Sequence, residues 1–425
     1  MKRAYKILIF IILLITGLYT YLYIKEETTD YGHKVVVCIP VYGQSLALGE
    51  EANRVTDFKK LKNDYDGRIL TENLDYDFGY LADKKWKLYL KKILHYQKRS
   101  FEISAYGMAE SLARQLGNDT IICIFPRGQG ATPISQLGKS SNPYNILLSD
   151  IRLAYNKARK RGWNFYVPAI CWMQGESDIT NYTGSRYKEL LKRFCEDINV
   201  DIKGITHQCV PVRMICYQTN AITRAKDFDN KDFECVEAMV PQAIMELVRD
   251  DSLFWASGPT YPYSFAREAI HIDGISQKRI GSLEAISAIK IIRNQKHFNG
   301  LIPTSVTTND YDIFIHYNVP CPPLKFDTTN VKAAPHYGYS VITPEGEDII
   351  SSVCIIDSIV KIKCSKYPIG NKVRYAINGE KMKSGFEHGP RGNLRDSQGD
   401  KAEVSVSNKR YPLHNWGVQF VFLLE

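Results

Sequence analysis

The sequence lacks the patterns that mark several large classes of protein. It has no CxxC pair and no cysteine–histidine cluster at metal-ligand spacing, so we expect no zinc site and no other metal. It has no long lysine or arginine run, although 55 basic residues exceed 46 acidic ones and give a net charge of +9. Scattered basic residues are typical of a solvated surface, so we predict no nucleic-acid partner. It also lacks internal repeats, and its apolar fraction of 44% is that of a folded globular protein.

The ten cysteines do not define a disulfide framework. Four of them lie inside apolar runs, where cysteine is a common small hydrophobic residue, and we expect them to be buried. These four are Cys38, Cys123, Cys171 and Cys216. The sequence does not choose a disulfide among the other six, which are Cys195, Cys209, Cys235, Cys321, Cys354 and Cys364.

The N-terminus has a basic flank that ends at Lys6, followed by an uncharged stretch from Ile7 to Ile24. As a helix this stretch would rise about 27 Å, nearly the thickness of the hydrocarbon core. No small-residue cleavage site follows it, and its tyrosines suit a membrane interface. We therefore predict that residues 1–30 form a signal-anchor transmembrane helix, with a cleaved signal as the alternative. Either one exports the rest of the chain, to the periplasm or cell surface or as a secreted protein.

Residues 31–298 alternate short apolar runs with segments of helical period. The predicted strands are residues 34–39, 120–125, 165–172, 212–217 and 253–256. The predicted helices are residues 106–116, 146–161, 185–198, 232–248 and 276–292. This alternation predicts an α/β domain of three layers, in which helices cover both faces of a doubly wound parallel sheet. Ligands of such sheets bind beyond the carboxyl ends of the strands.

Residues 299–425 have a different texture. Segments of helical period disappear, and alternating strands separated by turn residues such as Asn378-Gly379 take their place. We predict a smaller antiparallel β domain, a sandwich or jelly roll, as an accessory to the α/β domain.

A serine follows the first predicted strand in the run Gly43-Gln44-Ser45. A tight turn at this place exposes the serine Oγ at the top of the sheet, and its backbone N–H points into the same space. One residue then supplies a nucleophile and an oxyanion donor. The alternative role for such a serine is a helix N-cap.

A glycine-rich loop, Gly128-Gln129-Gly130, follows the next strand. Its small residues allow a backbone N–H to approach a substrate oxygen. An ordinary turn is the alternative, and a phosphate-binding loop is disfavoured because no GK[ST] follows.

A polar run over residues 174–178 leaves the strand that ends near Trp172. Such a run is costly beside a buried strand unless its groups are paired or used. The Gln174 amide is able to donate a hydrogen bond to an oxyanion, while Glu176 and Asp178 order the loop or are solvated.

The last motif is His271 with two acids nearby, Glu268 and Asp273. A carboxylate that accepts from His Nδ1–H fixes the imidazole tautomer and stabilises the imidazolium formed during attack. An ordinary, partly buried histidine is the alternative.

These four blocks, in this order, resemble the SGNH hydrolase superfamily and, more narrowly, its sialate O-acetylesterase-like (SASA) carbohydrate esterase branch. That branch has a GQS-type first block, a GGT-like glycine loop, a W-x-Q-G-E-S-D block and a terminal D-x-x-H. The resemblance spans about residues 33 to 290, and the W-x-Q-G-E-S-D block is its most distinctive part. It implies the flavodoxin-like SGNH fold and a serine esterase that needs no cofactor. Residues 389–397 and 413–416 also look like a β appendage of bacterial proteins of this branch, for which we expect a packing role.

The resemblance also implies roles for individual residues. Ser45 would be the nucleophile, His271 the general base and Glu268 the acid, although the family usually has Asp there, so Asp273 stays a rival. The loop reads Gly-Ala-Thr rather than Gly-Gly-Thr, which blurs which N–H donates. The implied oxyanion donors are the N–H groups of Ser45 and Gly130 and the side chain of Gln174, with Gln44 and Glu176 in support.

The predicted activity is removal of O-acetyl groups from carbohydrate, either sialic acid or acetylated polysaccharide. One alternative is a lipase-like SGNH hydrolase that acts on non-carbohydrate esters. The other is a catalytically degenerate carbohydrate-binding surface protein. The sequence leaves the sugar, the acetyl position and the oligomeric state open.

Overall fold

The structure is a computed structural model that describes residues 11–17, 34–65, 67–71, 91–92, 101–179, 184–220, 239–266, 270–380 and 383–425. The strands of the α/β region are β1 (Val35–Cys38), β2 (Val41–Gly43), β3 (Ile69–Thr71), β4 (Lys91–Lys92), β5 (Thr120–Cys123), β6 (Pro126–Gly128), β7 (Asn164–Tyr166), β8 (Ala169–Met173), β9 (Arg213–Gln218) and β10 (Phe254–Pro259). Its helices are α1 (Ser45–Leu48), α2 (Phe58–Tyr65), α3 (Ser104–Gln115), α4 (Asn142–Lys160), α5 (Gly184–Thr206), α6 (Met239–Asp250) and α7 (Gly274–Ile292).

The strands form two hydrogen-bonded groups, in the orders β4-β3-β5-β1-β7 and β10-β9-β8-β2-β6. Every pairing is parallel except that of β3 with β4. The chain runs directly from β1 to β2, from β5 to β6 and from β7 to β8. In the first group β1 lies between β5 and β7, and in the second β2 lies between β6 and β8, so the two groups are successive halves of one layer. The predicted α/β parallel sheet is confirmed.

Prolines divide strands of the sheet, and one of them, Pro168, lies inside the predicted strand 165–172. Pro40 separates β1 from β2, and Pro168 separates β7 from β8. Proline has no N–H to donate to a neighbouring strand, so the ladder is interrupted there. The carbonyl groups still accept, from Cys171 N to Pro40 O and from Arg213 N to Pro168 O, both at 3.0 Å.

Both faces of the sheet are covered by helices. In β1, Val36 and Cys38 belong to one core cluster, and Val37 belongs to the other. Buried residues of α4, α5 and α6 lie in the first cluster, and those of α3 and α7 lie in the second. Because successive side chains of a strand point to opposite faces of the sheet, a continuous apolar run is buried only when helices cover both faces.

The C-terminal region is antiparallel, as predicted. Its main strands are β11 (Pro303–Asn309), β12 (Asp312–Tyr317), β13 (Lys325–Phe326), β14 (Tyr339–Ile342), β15 (Ile350–Ile356), β16 (Ile359–Cys364), β17 (Lys372–Tyr375), β18 (Leu394–Arg395), β19 (Glu403–Val406), β20 (Lys409–Pro412) and β21 (Phe420–Leu423). They form a four-stranded sheet β11-β12-β16-β15, a three-stranded sheet β14-β17-β21 and the pairs β13-β18 and β19-β20.

The β region is in direct contact with the carboxyl end of β9. The Gln218 side chain donates to Gln419 O at 2.9 Å and accepts from Gln419 N at 2.7 Å. Tyr261 OH donates to Gly417 O at 2.9 Å, and one apolar cluster contains Tyr261 together with Tyr375. The accessory region is therefore packed on the edge of the sheet where the strands end.

The prediction of a transmembrane helix over the uncharged stretch of residues 7–24 is wrong. No helix among the described residues is long and apolar enough to cross a membrane. Within the predicted segment the structure describes residues 11–17, which are helical and exposed, and the rest lies outside the described residues. Export of the chain stays a prediction.

Nine cysteines lie in the described parts of the chain, and all nine are free thiols. The four expected to be buried are buried. Cys235 lies outside the described residues.

Candidate active site

Strand β2 and the turn that follows it bring Ser45 to the carboxyl edge of the sheet. Ser45 is the first residue of α1, directly after β2 and Gln44. The turn needs Gly43, because a Cβ atom there would overlap the carbonyl of Met173 in β8. Gln44 N donates to that carbonyl oxygen at 3.0 Å, which anchors the turn to the neighbouring strand.

The structure places Ser45 beside His271. The distance between Ser45 Oγ and His271 Nε2 is 2.8 Å, a normal hydrogen bond. Ser45 is 4% exposed and His271 9% exposed. The N-cap alternative does not apply, since Gln44 occupies the cap position of α1 and no side chain caps that helix.

A carboxylate that the sequence analysis missed contacts the other nitrogen of the ring. Glu51 Oε2 lies 3.2 Å from His271 Nδ1. The preceding residue, Glu50, has its Oε2 3.8 Å from Nε2, on the serine side of the ring. In sequence, two consecutive acids after Gly49 look like a solvated turn, and no pattern links them to a histidine 220 residues away.

The acids predicted from the sequence are not found at Nδ1 among the described residues. Asp273 is the N-cap of α7, where its carboxylate accepts from Ser276 N at 2.8 Å. Its backbone N–H donates to Ser264 O at 3.0 Å, which fixes the segment that carries the histidine. Glu268 lies outside the described residues.

The glycine loop lies against the serine turn. Gln129 N donates to Gly43 O at 3.1 Å, and a Cβ atom on Gly130 would stand 3.5 Å from Glu50 Oε2. Beyond it, Thr132 Oγ1 donates to Gly130 O at 2.9 Å, so the loop is stabilised by its own residues. Its predicted role as an oxyanion donor stays a prediction.

The Gln174 side chain is fully buried and already has partners. Its Nε2 donates to Asp178 and, at 3.3 Å, to Thr132 O, while its Oε1 accepts from Tyr187 OH at 2.8 Å. Asp178 also accepts from Ile134 N at 2.8 Å. These contacts tie the polar run to the glycine loop, and the oxyanion role of Gln174 stays a prediction.

Glu176 lies on the same edge of the sheet, next to the end of β9. Burial raises the pKa of its carboxyl, while hydrogen bonds from Tyr217 and Thr219 and the nearby His271 act in the opposite direction. Gln44 Oε1 accepts from Ser177 N at 3.3 Å, which connects the first and third motifs. Gln44 thus links two motifs, and Glu176 links the third motif to the end of β9.

A serine, an imidazole and a carboxylate in series are the groups that nucleophilic acyl transfer needs. Within the described residues, no group of three or more His, Cys, Asp or Glu side chains is placed to hold a metal ion.

Residues 78–282 match the family described as "carbohydrate esterase, sialic acid-specific acetylesterase". The range contains Gly130, Gln174 and His271, and Ser45 precedes it. No curated protein matches the chain. A carbohydrate acetylesterase from Xanthomonas citri has a similar structure, with a TM-score of 0.61 and 12% identity over 92% of this chain and 80% of the other. The protein NanS gives a TM-score of 0.43 and 13% identity over 62% and 99%. A protein from Arabidopsis thaliana gives 0.40 and 14% over 61% and 99%.

Proposed function

We propose that this chain is a serine esterase that removes O-acetyl groups from carbohydrate, and the match of residues 78–282 to the family described as sialic acid-specific acetylesterases supports the proposal. The observation that carries the proposal is the 2.8 Å contact between Ser45 Oγ and His271 Nε2. An imidazole at this distance is placed to take the serine proton, which makes Oγ a competent nucleophile.

In the proposed reaction, Ser45 Oγ attacks the acetyl carbonyl carbon as His271 Nε2 takes the hydroxyl proton. Collapse of the tetrahedral intermediate breaks the bond between that carbon and the sugar oxygen, and His271 returns its proton to the sugar. Water then attacks the acetyl-serine with His271 again as base, which releases acetate and restores the serine.

The negative charge of the tetrahedral intermediate needs donors at the same place. We assign them to the backbone N–H groups of Ser45 and Gly130, because Ser45 begins a helix and Gly130 faces the serine turn. Gln174 adds its amide if Asp178 or Thr132 gives up its hydrogen bond.

The substrate proposed is an O-acetylated sugar, either sialic acid or a polysaccharide. The support is the family of residues 78–282. Esters with longer acyl chains and no sugar should be poorer substrates, which separates this activity from a lipase-like one.

The test is release of acetate from a panel of acetylated glycans by the wild type and by Ser45→Ala. We expect the substitution to reduce kcat at least about 10⁴-fold, to the level left by binding alone. Ser305→Ala, at an exposed position of β11, is the matched control and should be unaffected. Undiminished hydrolysis by Ser45→Ala would refute the nucleophile, and no acetate from any glycan would refute the substrate class.

A further inference from the structure

We propose that Glu51 is the positioning acid of this site, taking the place that the family motif gives to the acid three residues before the histidine. This inference rests on the proposed function. It assigns the acid to the turn that carries the nucleophile, so one short stretch of chain supplies both partners of the imidazole.

The tautomer of His271 sets the first requirement. For Nε2 to accept the serine proton, the ring hydrogen must be on Nδ1, and a buried N–H needs an acceptor. Glu51 Oε2 meets this need at 3.2 Å. The two side chains are 11% and 24% exposed, so their attraction is only partly screened by water.

The backbone of the turn is strained in a way that delivers this carboxylate. Gly49 has φ 73°, and Glu51 itself has φ 61°, in the left-handed region that is unfavourable for a residue with a Cβ atom. Two hydrogen bonds hold the turn, from Glu50 N to Ser45 O and from Ala52 N to Gly49 O, both 3.1 Å. Such strain persists only where the surroundings fix the backbone.

Glu102 fixes the far side of the turn. Its buried carboxylate accepts from Val55 N and Thr56 N at 2.8 Å each, and its own N–H donates to Ala52 O at 2.8 Å. Glu102 is 0% exposed, so these bonds are formed away from water and define the path of residues 52–56.

The turn also packs against the segment that contains His271. Gly274, three residues after His271, approaches Asn53 so closely that a Cβ atom would overlap the Asn53 carbonyl. The positions of Glu51 and His271 are therefore set by one backbone contact and do not depend on the flexible side chains alone.

Glu50 does not compete for the role. Its Oε2 is 3.8 Å from Nε2, which is beyond hydrogen-bond distance and on the nitrogen that faces Ser45. An acid at that nitrogen would not hold the hydrogen on Nδ1.

The experiment compares Glu51→Gln, Glu51→Asp, Glu268→Gln and Asp273→Asn for acetate release from one acetylated glycan. Glu51→Gln should lower kcat by about 10²–10⁴-fold with KM nearly unchanged, because the amide no longer favours the Nδ1–H tautomer or the imidazolium. Glu51→Asp keeps the charge and should recover part of that loss. Asp273→Asn should stay within about threefold, since Asn is an equally good N-cap.

A second readout is independent of turnover. The far-downfield proton resonance of an imidazole N–H bound to a carboxylate should be present in the wild type, lost in Glu51→Gln and kept in Glu268→Gln. A collapse of kcat in Glu268→Gln or Asp273→Asn with Glu51→Gln unaffected would overturn the assignment, as would a resonance that survives Glu51→Gln. If the wild type hydrolyses nothing, the proposed function fails, yet the resonance still tests the contact.

Discussion

The carboxyl edge of the sheet, where Ser45 and His271 lie, and the β region both bury polar side chains, but the partners of these side chains differ. At the edge, Ser45 and His271 bond to each other across 226 residues of sequence. In the β region, fully buried Asn393 bonds to backbone: its amide donates to Asp327 O at 3.0 Å and to Val331 O at 3.1 Å, and accepts from Ala334 N at 2.8 Å.

This difference distinguishes side chains that are able to react from side chains that hold the backbone in place. A side chain whose partners are backbone groups holds loops in place and has no capacity left for a substrate. A hydroxyl that bonds to an imidazole, as Ser45 does to His271, is able to pass its proton to the ring. In the 389–397 segment, Asn393 falls in the first class, whereas Arg395 and Asp396 bond to the side chains of Asp327 and Asn415. The expected packing role of this segment stays a prediction.

Two buried carboxyl groups sharpen this comparison. Burial raises the pKa of Glu284, in α7, to about 8. Asp327 is also buried, but hydrogen bonds from Asn330, Arg395 and Thr329 outweigh the effect of burial and lower its pKa to about 2. Helix α7 therefore contains a carboxyl group that is neutral up to a pH of about 8, and the β region contains a carboxylate that hydrogen bonds stabilise.

The largest expected effect follows from Glu284. The folded state keeps its proton up to a pH of about 8, whereas the unfolded state loses it near the ordinary value of 4.5. Between these values the folded state binds more protons, so the free energy of unfolding should fall by up to about 1.4 kcal/mol per pH unit. Glu284→Gln should flatten this slope in urea unfolding at several pH values.

The matched control for that measurement is Glu189→Gln, at an exposed position of α5. It should leave the slope as it is in the wild type. Equal slopes for the wild type and Glu284→Gln would contradict a neutral carboxyl at residue 284.

Next in size is the effect of Gly274→Ala on activity. The new Cβ atom forces the Asn53 backbone away, which shifts Glu51 relative to His271. A misplacement of about 1 Å costs about 10²-fold in kcat. Gly204→Ala is the control, since Gly204 lies in α5 with nothing within 4 Å, and alanine there should stabilise by about 0.5–1 kcal/mol. Full activity in Gly274→Ala would show that this contact does not set the geometry.

The fold and half of the site were predictable, for physical reasons. Apolar runs and helical periods identified the layers, and α7 begins at Gly274, close to the predicted residue 276. The proximity of Ser45 and His271 was predictable because polar residues that follow buried strands converge at one edge, while their catalytic roles stay predictions. The division of the predicted strand 165–172 was missed, although Pro168 signals it, and strand β2, which begins directly after Pro40, was missed as well. Glu51 was missed because its partner, His271, is 220 residues away in sequence and because its turn has no repeating pattern of apolar residues.

The smallest expected effect is on stability without activity. Asn393→Ala removes hydrogen bonds to backbone groups that stay buried, so the free energy of unfolding should drop by about 2 kcal/mol. Asn309→Ala, at an exposed strand end of β11, should change it by less than about 0.5 kcal/mol. Urea unfolding measures both, and kcat of folded Asn393→Ala should equal that of the wild type. A lower kcat would mean that the β region affects the carboxyl edge of the sheet through contacts such as Gln218 with Gln419, so that stability and activity are coupled.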